Sequence, residues 1–355
     1  MPDADVLVRY RQSMWGKIIF GLAVAVFLLI AIVYAISVGA YTIPVLDVIS
    51  TLMWEDPAAT EHNVIWNIRL PRIITAIIAG AGLSLAGAAM QSILRNPLGS
   101  PYTLGISNAA AFGAALALST GAGQVASRTA ETAILFDNPY AVTISAFFFS
   151  LVATGVIVFF SRLRGATPET MILMGVALNS LFGAGITALQ YFADEMEIAA
   201  IVFWQFGDAS KAGWIELGIM SALTFPAIVY FMRNSWNYNT LKSGDETAKS
   251  LGVNVEVLRI VGMLVCSLLT AVIVSFIGII GFVGLVIPHI VRRFVGGNEM
   301  YLMPFSVLAG AFLLLAADTA ARTLFSPMVL PVGILTSFMG APLFIYLVIK
   351  GREYW

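Results

Sequence analysis

The stretch IITAIIAGAGLSLAGAAMQSIL, Ile73–Leu94, carries no charged side chain. A helix rises about 1.5 Å per residue, so this run covers the roughly 30 Å hydrocarbon core of a bilayer. Its small residues recur every four positions: Gly80, Ser84 and Ala88 share one face, and Ala79, Leu83 and Gly87 another. Gly105, Ala109 and Gly113 repeat the pattern in the next apolar segment. Lipid supplies no hydrophobic drive for helix association, so such faces act by letting backbones approach closely. The stretch implies a tightly packed helical bundle inside a membrane.

The whole chain agrees. Of 355 residues, 59% are apolar and 11% charged, with a mean hydropathy of +0.90; soluble domains carry about a quarter charged residues. Disorder and a disulfide-rich secreted fold are excluded, because the one cysteine, Cys266, has no partner and sits in the apolar run MLVCSLL. A net charge of −1 provides no basic footprint for nucleic acid.

Ten apolar segments are expected as membrane helices: Ile18–Val38, Ile73–Leu94, Thr103–Leu118, Tyr140–Phe160, Thr170–Phe192, Trp214–Met232, Val257–Phe276, Ile277–Phe294, Met303–Ala321 and Pro331–Ile349. The first is too long for a cleavable signal core and reads as a retained span. Met196–Phe206 reads as a short helix near a surface. The expected fold is an all-α polytopic membrane protein with one transmembrane domain over residues 1–355 and a cytoplasmic loop at about 233–256. Ten spans place 14 of the 19 lysines and arginines on the side of the termini, leaving Arg69, Arg72, Arg128, Lys211 and Arg322 opposite. The excess of positive charge inside puts both termini in the cytoplasm of a cell (inner or plasma) membrane.

The chain shows little chemistry of its own. It contains no GxxxxGK[ST], HExxH or CxxC. GAGQVA at Gly121 lacks a preceding strand and reads as a turn. Intramembrane ionisable groups, the usual mark of ion relays, are scarce. Asp318 stands four residues before Arg322, at helical ion-pair spacing. His289 near the cytoplasmic end of the eighth span reads as a hydrogen-bonded structural residue, and His62 lies in an outer loop. Catalysis by this chain alone, and a metal site, are not expected.

The polar segment NTLKSGDETAKSLGVNVE, Asn239–Glu256, interrupts the second half. Gly244 breaks the chain, Asp245 and Glu246 favour a helix start, and Gly252 stops the helix. On its residues alone it is a solvated loop or a docking helix for a partner.

At this segment the chain resembles the FecCD family, the ten-span permeases for iron–siderophore complexes, haem and cobalamin. GDETAKSLGV is similar to the family's GExxAxxLG coupling segment, with Asp245 where Glu is usual and Ser243 where Leu is common. RLPR (Arg69–Arg72), MQSILRNPLGSPYTLGISN (Met90–Asn108), GFVGLVIPHIVRR (Gly281–Arg293), LLAADTAAR (Leu314–Arg322) and LPVGILTSFMGAPLFIYLV (Leu330–Val348) follow in family order.

The resemblance implies the type II permease fold of an ABC importer. Its partners would be two ATPase subunits, an external periplasmic or lipid-anchored substrate-binding protein, and a second permease copy, most simply the same chain. ATP and magnesium would belong to the ATPase, leaving this chain without a cofactor. Gly244, Asp245, Glu246, Ala248, Leu251 and Gly252 would contact the ATPase. Arg69, Arg72 and Arg322 would meet acidic residues of the binding protein, where exposed charge steers docking; anchoring to lipid headgroups is the alternative. Met171, Met174, Leu178, Asn179 and Thr187, with Thr336, Ser337 and Met339, would line the path, or else form ordinary bundle core. Gly165, Thr167, Pro168 and Glu169 match the cytoplasmic constriction, although Gly165 and Pro168 suit any loop.

The function so implied is import of an iron chelate, haem or cobalamin by ATP-driven alternating access. The same fold carrying an oxyanion such as molybdate is the nearest alternative. An ion-gradient transporter would need buried carboxylates or unwound ion sites, and a redox subunit would need histidine pairs within spans.

Overall fold

The computed structural model describes residues 2–39, 41–53, 59–121, 125–126, 135–136, 139–324 and 328–350. In chain order the elements are α1 (Pro2–Ser37), α2 (Val45–Leu52), α3 (Ala59–Asn63), a π-helical turn (Val64–Arg69) running into α4 (Leu70–Ile93), and α5 (Ile106–Ser119). Two two-residue strands, β1 (Val125–Ala126) and β2 (Leu135–Phe136), pair antiparallel. Then come α6 (Pro139–Leu163), α7 (Pro168–Phe192), α8 (Glu195–Gln205), a 3₁₀ turn (Ala209–Lys211), α9 (Trp214–Lys242), α10 (Asp245–Ser250), α11 (Val255–Ile277), α12 (Val283–Val295), α13 (Glu299–Thr323) and α14 (Val332–Lys350).

All ten expected segments contain a helix. Among the described residues, seven helices are long and apolar enough to cross a membrane, in α1, α3–α4, α6, α7, α9, α11 and α13. The others are shorter: α5 has 14 residues and α12 has 13. The expected eighth span from Ile277 is corrected by its backbone. Gly278 and Phe282 have φ of +80° and +65°, so Gly278–Phe282 is irregular and α12 begins only at Val283. The expected surface helix at Met196–Phe206 is α8, started by a capping box between Asp194 and Glu197.

The bundle is built around α4, which is buried over nearly its whole length. The small-residue faces account for this. A Cβ on Gly80 would overlap the carbonyl of Gly310 in α13, and one on Gly87 would overlap the carbonyl of Gly284 in α12. Both crossings therefore depend on the absence of a side chain. The Gly113 face meets α6, where Ser145 Oγ donates to the Gly113 carbonyl at 2.6 Å. On the periphery, α1 stacks Phe20 on Phe294 at 4.8 Å and leaves Leu22, Phe27 and Leu29 exposed. Leu173, Val176 and Leu181 of α7 are exposed as well.

Charge segregates to the two ends of α4. Arg72, Asp208, Asp318 and Arg322 meet at its N-terminal end. Asp245, Arg259 and Arg95 meet at its C-terminal end, as do Lys242 and Glu299 through Ser92.

Candidate coupling and translocation site

The segment from Gly244 to Val253 forms a single short helix between two glycine turns. Gly244 (φ +112°) precedes α10, and Gly252 (φ +83°) ends it, with Val253 N–H donating to the Ala248 carbonyl at 3.0 Å. Left-handed backbone is cheap only for glycine, which is why the sequence has glycine here. Ala248 is fully buried against the bundle, whereas Glu246, Lys249, Ser250 and Leu251 are exposed. Leu251 is 63% exposed, a large apolar side chain on an otherwise polar face.

Asp245 points inward. Arg259 of α11 donates to both its oxygens, Nη1 to Oδ2 at 2.6 Å and Nη2 to Oδ1 at 2.7 Å. Arg95, just past α4, lies 3.6 Å away. The hydrogen bonds from Arg259 hold the Asp245 carboxyl below its ordinary range. The partner contacts expected of Asp245 and Ala248 stand beside these intramolecular ones, and the Asp245 side chain is still 33% exposed. Asp245 is engaged by Arg259, Ala248 is packed, and Glu246 and Leu251 carry the outward face.

The turn expected as a constriction lies next to this helix. Gly165 (φ +74°) and Ala166 (φ +53°) reverse the chain after α6, and Thr167 caps α7 by accepting from Thr170 N–H at 3.4 Å. Pro168 is buried and Glu169 exposed. Gly165, Asp245, Lys249, Gly252, Glu256 and Arg259 line one cavity of about 490 Å³. Tertiary structure therefore puts the expected gate turn and the expected coupling helix on a common groove.

At the opposite end the three arginines are not exposed cations. Arg72 is 9% exposed; its Nε lies 3.0 Å from both Asp318 oxygens and its Nη2 2.8 Å from Oδ1. Its Nη2 also lies 3.4 Å from Asp208. Arg322 Nε pairs with Asp318 Oδ2 at 3.3 Å, the i, i+4 contact expected from sequence. Arg69 donates to the carbonyls of Ile36 and Tyr41. Burying a guanidinium requires such partners. The expectation of free charge here is corrected: the local ion pair was foreseen, but Arg72 as the principal partner of Asp318 was not.

The residues expected along the path separate by burial. Met171, Leu178 and Thr336 are buried in this chain's own packing, and Thr336 borders only a small cavity of about 60 Å³. Met174 and Ser337 are half-buried, and Thr187 and Met339 are exposed. Half-buried Asn179 accepts from Asn108 Nδ2 at 2.8 Å. Asn108 and Ser337 line a cavity of about 640 Å³ together with Tyr102, Gln205, Phe282 and Phe338.

Much of that cavity wall is irregular backbone. Phe206 bridges to Ile279, Asp208 N–H donates to the Ile277 carbonyl at 2.8 Å, and Gly333 N–H donates to the Gly207 carbonyl at 3.0 Å. Non-helical backbone is tolerated within a membrane protein where it is buried or lines a cavity. Sequence reasoning missed Tyr102, Asn108, Gln205 and Phe282. The available signal was the glycine spacing Gly278, Gly281, Gly284, too dense for an uninterrupted span.

These features define a multi-pass membrane transport subunit of the permease class. The chain belongs to the FecCD transport family, whose model matches residues 27–350. It is 52% identical over 347 residues to the ABC transporter permease protein MJ0087 of Methanocaldococcus jannaschii, covering 98% of each chain. It is 35% identical over 333 residues to the hemin transport system permease protein HmuU of Yersinia pestis, covering 92% of this chain and 95% of that one. Among solved structures it is similar to an inward-facing chain assigned to the metal-chelate type of ABC transporter. The TM-score is 0.80 at 33% identity, over 93% of this chain and 98% of that one.

Proposed function

We propose that this chain is the permease subunit of an ATP-driven importer that brings a bulky metal chelate, such as an iron–siderophore complex, haem or cobalamin, into the cytoplasm. Two ATPase subunits grip α10 from the cytoplasm, a second copy of the chain completes the path along α7 and α14, and a binding protein delivers cargo from outside. Both termini are cytoplasmic. The observation that carries this reading is the outward face of α10, where Leu251 and Glu246 stand clear of the bundle while Asp245 and Ala248 tie the helix to it.

The uncharged lining of the 640 Å³ cavity favours a shielded chelate over an oxyanion. An anion would need fixed cations or a dense set of donors, whereas a chelate needs weak contacts that let it leave. ATP-driven closure of the ATPase pair would tilt the permease halves, so transport requires no bond-making in this chain. The outer loops as a whole carry more carboxylates than cations, so Arg69, Arg72 and Arg322 would meet acidic residues of the binding protein only as a local cluster at short range.

The test is co-expression with a candidate ABC ATPase subunit from the same genome. The wild-type chain should retain the ATPase through purification. Glu246→Lys and Leu251→Arg should lose it while the permease still inserts. Retention by both variants would overturn the assignment of α10.

A further inference from the structure

Arg259 is 1% exposed, among the largest fully buried side chains of the protein, and lies in the first turns of α11. Its guanidinium spends donors in two directions. Nη1 and Nη2 hold Asp245, the first residue of α10, and Nε donates to the Ile93 carbonyl at 3.3 Å. Ile93 is the last residue of α4, and a carbonyl there has no partner within its own helix. One buried side chain on α11 thus closes the end of α4 and anchors the start of α10.

A second observation points the same way. Arg95 adopts φ +45° directly after α4, with Asn96 N–H donating to the Gln91 carbonyl at 3.1 Å. That is the helix-ending position where glycine is favoured and a side chain is strained. The side chain placed there reaches Asp245 at 3.6 Å. A third tie lies just before α10: Lys242 bonds Glu299, whose carboxylate accepts from Ser92 Oγ of α4 at 2.6 Å. Two contacts to Asp245 of α10, and one to Lys242 at the end of α9 just before it, therefore lead to the last turn of α4 and the residue that follows it.

We propose that Arg259 is a positioning residue that makes α10 and the cytoplasmic end of α4 one rigid unit, so that displacement of α10 is delivered to α4 rather than absorbed by the glycine turns that flank it. The opposite end of α4 carries Arg72, which binds Asp318 and approaches Asp208 beside the central cavity. Motion delivered at Ile93 reaches the outer charged layer along a single helix. The inference rests on the reading of α10 as the coupling segment.

The experiment uses the full chain in lipid nanodiscs, alone and with its ATPase subunit. Spin labels are placed at Ser250→Cys and Leu98→Cys, both exposed, and a reference pair at Ser250→Cys and Leu163→Cys. In the wild type the 250–98 distance stays narrow and unchanged between nucleotide-free and vanadate-trapped complexes, while the reference distance changes. Arg259→Gln should broaden the 250–98 distribution and uncouple it from the nucleotide state. The ATPase should still co-purify, and its stimulation by the permease should drop by about tenfold, within the range for coupling through packed networks. Arg259→Lys should restore part of it.

If Arg259→Gln impairs folding, Asp245→Asn at the rim is expected to give the same broadening. An unchanged 250–98 distance in both variants overturns the proposal, as does equal movement of that pair and the reference pair in the wild type. Leu251→Arg separates the underlying reading. Should it and Glu246→Lys both leave the ATPase bound, the assignment of α10 itself fails, whatever Arg259 does.

Discussion

Arg72 and Asp318, 246 residues apart in the chain, form a buried bidentate ion pair, and the Asp318 side chain has no solvent exposure. The pair joins the start of α4 to the end of α13 at one end of the bundle, and Arg322 adds a second cation to Asp318. Two guanidinium groups sharing one carboxylate have no inexpensive substitute, because either cation left alone would be a buried charge.

Asp318→Asn should therefore cost about 3–5 kcal/mol, the range for removing one partner of a buried pair. Thermal unfolding in detergent should show it as a lower midpoint. The double change Arg72→Met with Asp318→Leu should recover part of the loss by removing both the carboxylate and one of its cations. If the single variant unfolds with the wild type, the pair is solvated and the described burial is wrong.

Reversing Arg69 and Arg72 to Glu tests the proposed docking role of this local arginine cluster. The double variant should lose affinity for the binding protein most at low ionic strength, with the difference shrinking as salt rises past the range where the screening length is about 10 Å. Because Arg72 also holds Asp318, the same variant should melt earlier. A variant that melts earlier but binds normally at low salt would show that the arginines are architectural only.

The helix crossings predict a contrast between glycines. Gly87→Ala places a methyl group against the Gly284 carbonyl and should destabilise by about 1–3 kcal/mol, as overpacking does. Gly155→Ala, at a position with open space around it, should be neutral or gain roughly 0.5–1 kcal/mol through helix propensity. Equal behaviour of the two in a detergent melt would argue against the α4–α12 crossing.

Acidification should release α10 only at low pH. Arg259 lowers the folded pKa of Asp245 below its unfolded value of about 3.9, so the pair's contribution is complete above that value and fades as pH falls through the lower folded value. Hydrogen exchange of the Asp245–Gly252 amides, corrected for intrinsic rates, should be the same from about pH 8 to pH 5 and rise only below about pH 4. Release near neutral pH would mean that another group holds the helix.

Gly252→Pro should abolish coupling without preventing insertion. Its φ of +83° is closed to proline, which requires about −65°. The turn must rebuild, and Leu251 moves with it. Retained permease stimulation of the ATPase would show that the turn geometry is dispensable.

Membrane class, the positions of the apolar helices and the boundaries of α10 were legible in the residue pattern, because each depends on local physics. An uncharged run the length of a bilayer has few alternatives, and Gly244 and Gly252 bracket a short helix by conformational preference alone. The close crossings of α4 were foreshadowed by four-residue spacing, though not their partners, Gly284 and Gly310. Burial of the ten segments, by contrast, follows from which helix faces which. Met171 and Thr336 look as suitable for a path as Asn108 does, and only packing hides the first two and opens the third.

The charged residues divide along the same line. That Asp318 and Arg322 attract each other is a matter of spacing on one helix. That Arg72 takes the larger share of Asp318, and that Arg259 ties Asp245 to the end of α4, depends on separate helices meeting in space. Hydrophobic periodicity and turn preference act over a few residues, so they can be read from the chain itself. A buried ion pair exists only where the fold removes water from both partners, and the order of residues carries no record of that until the helices have packed.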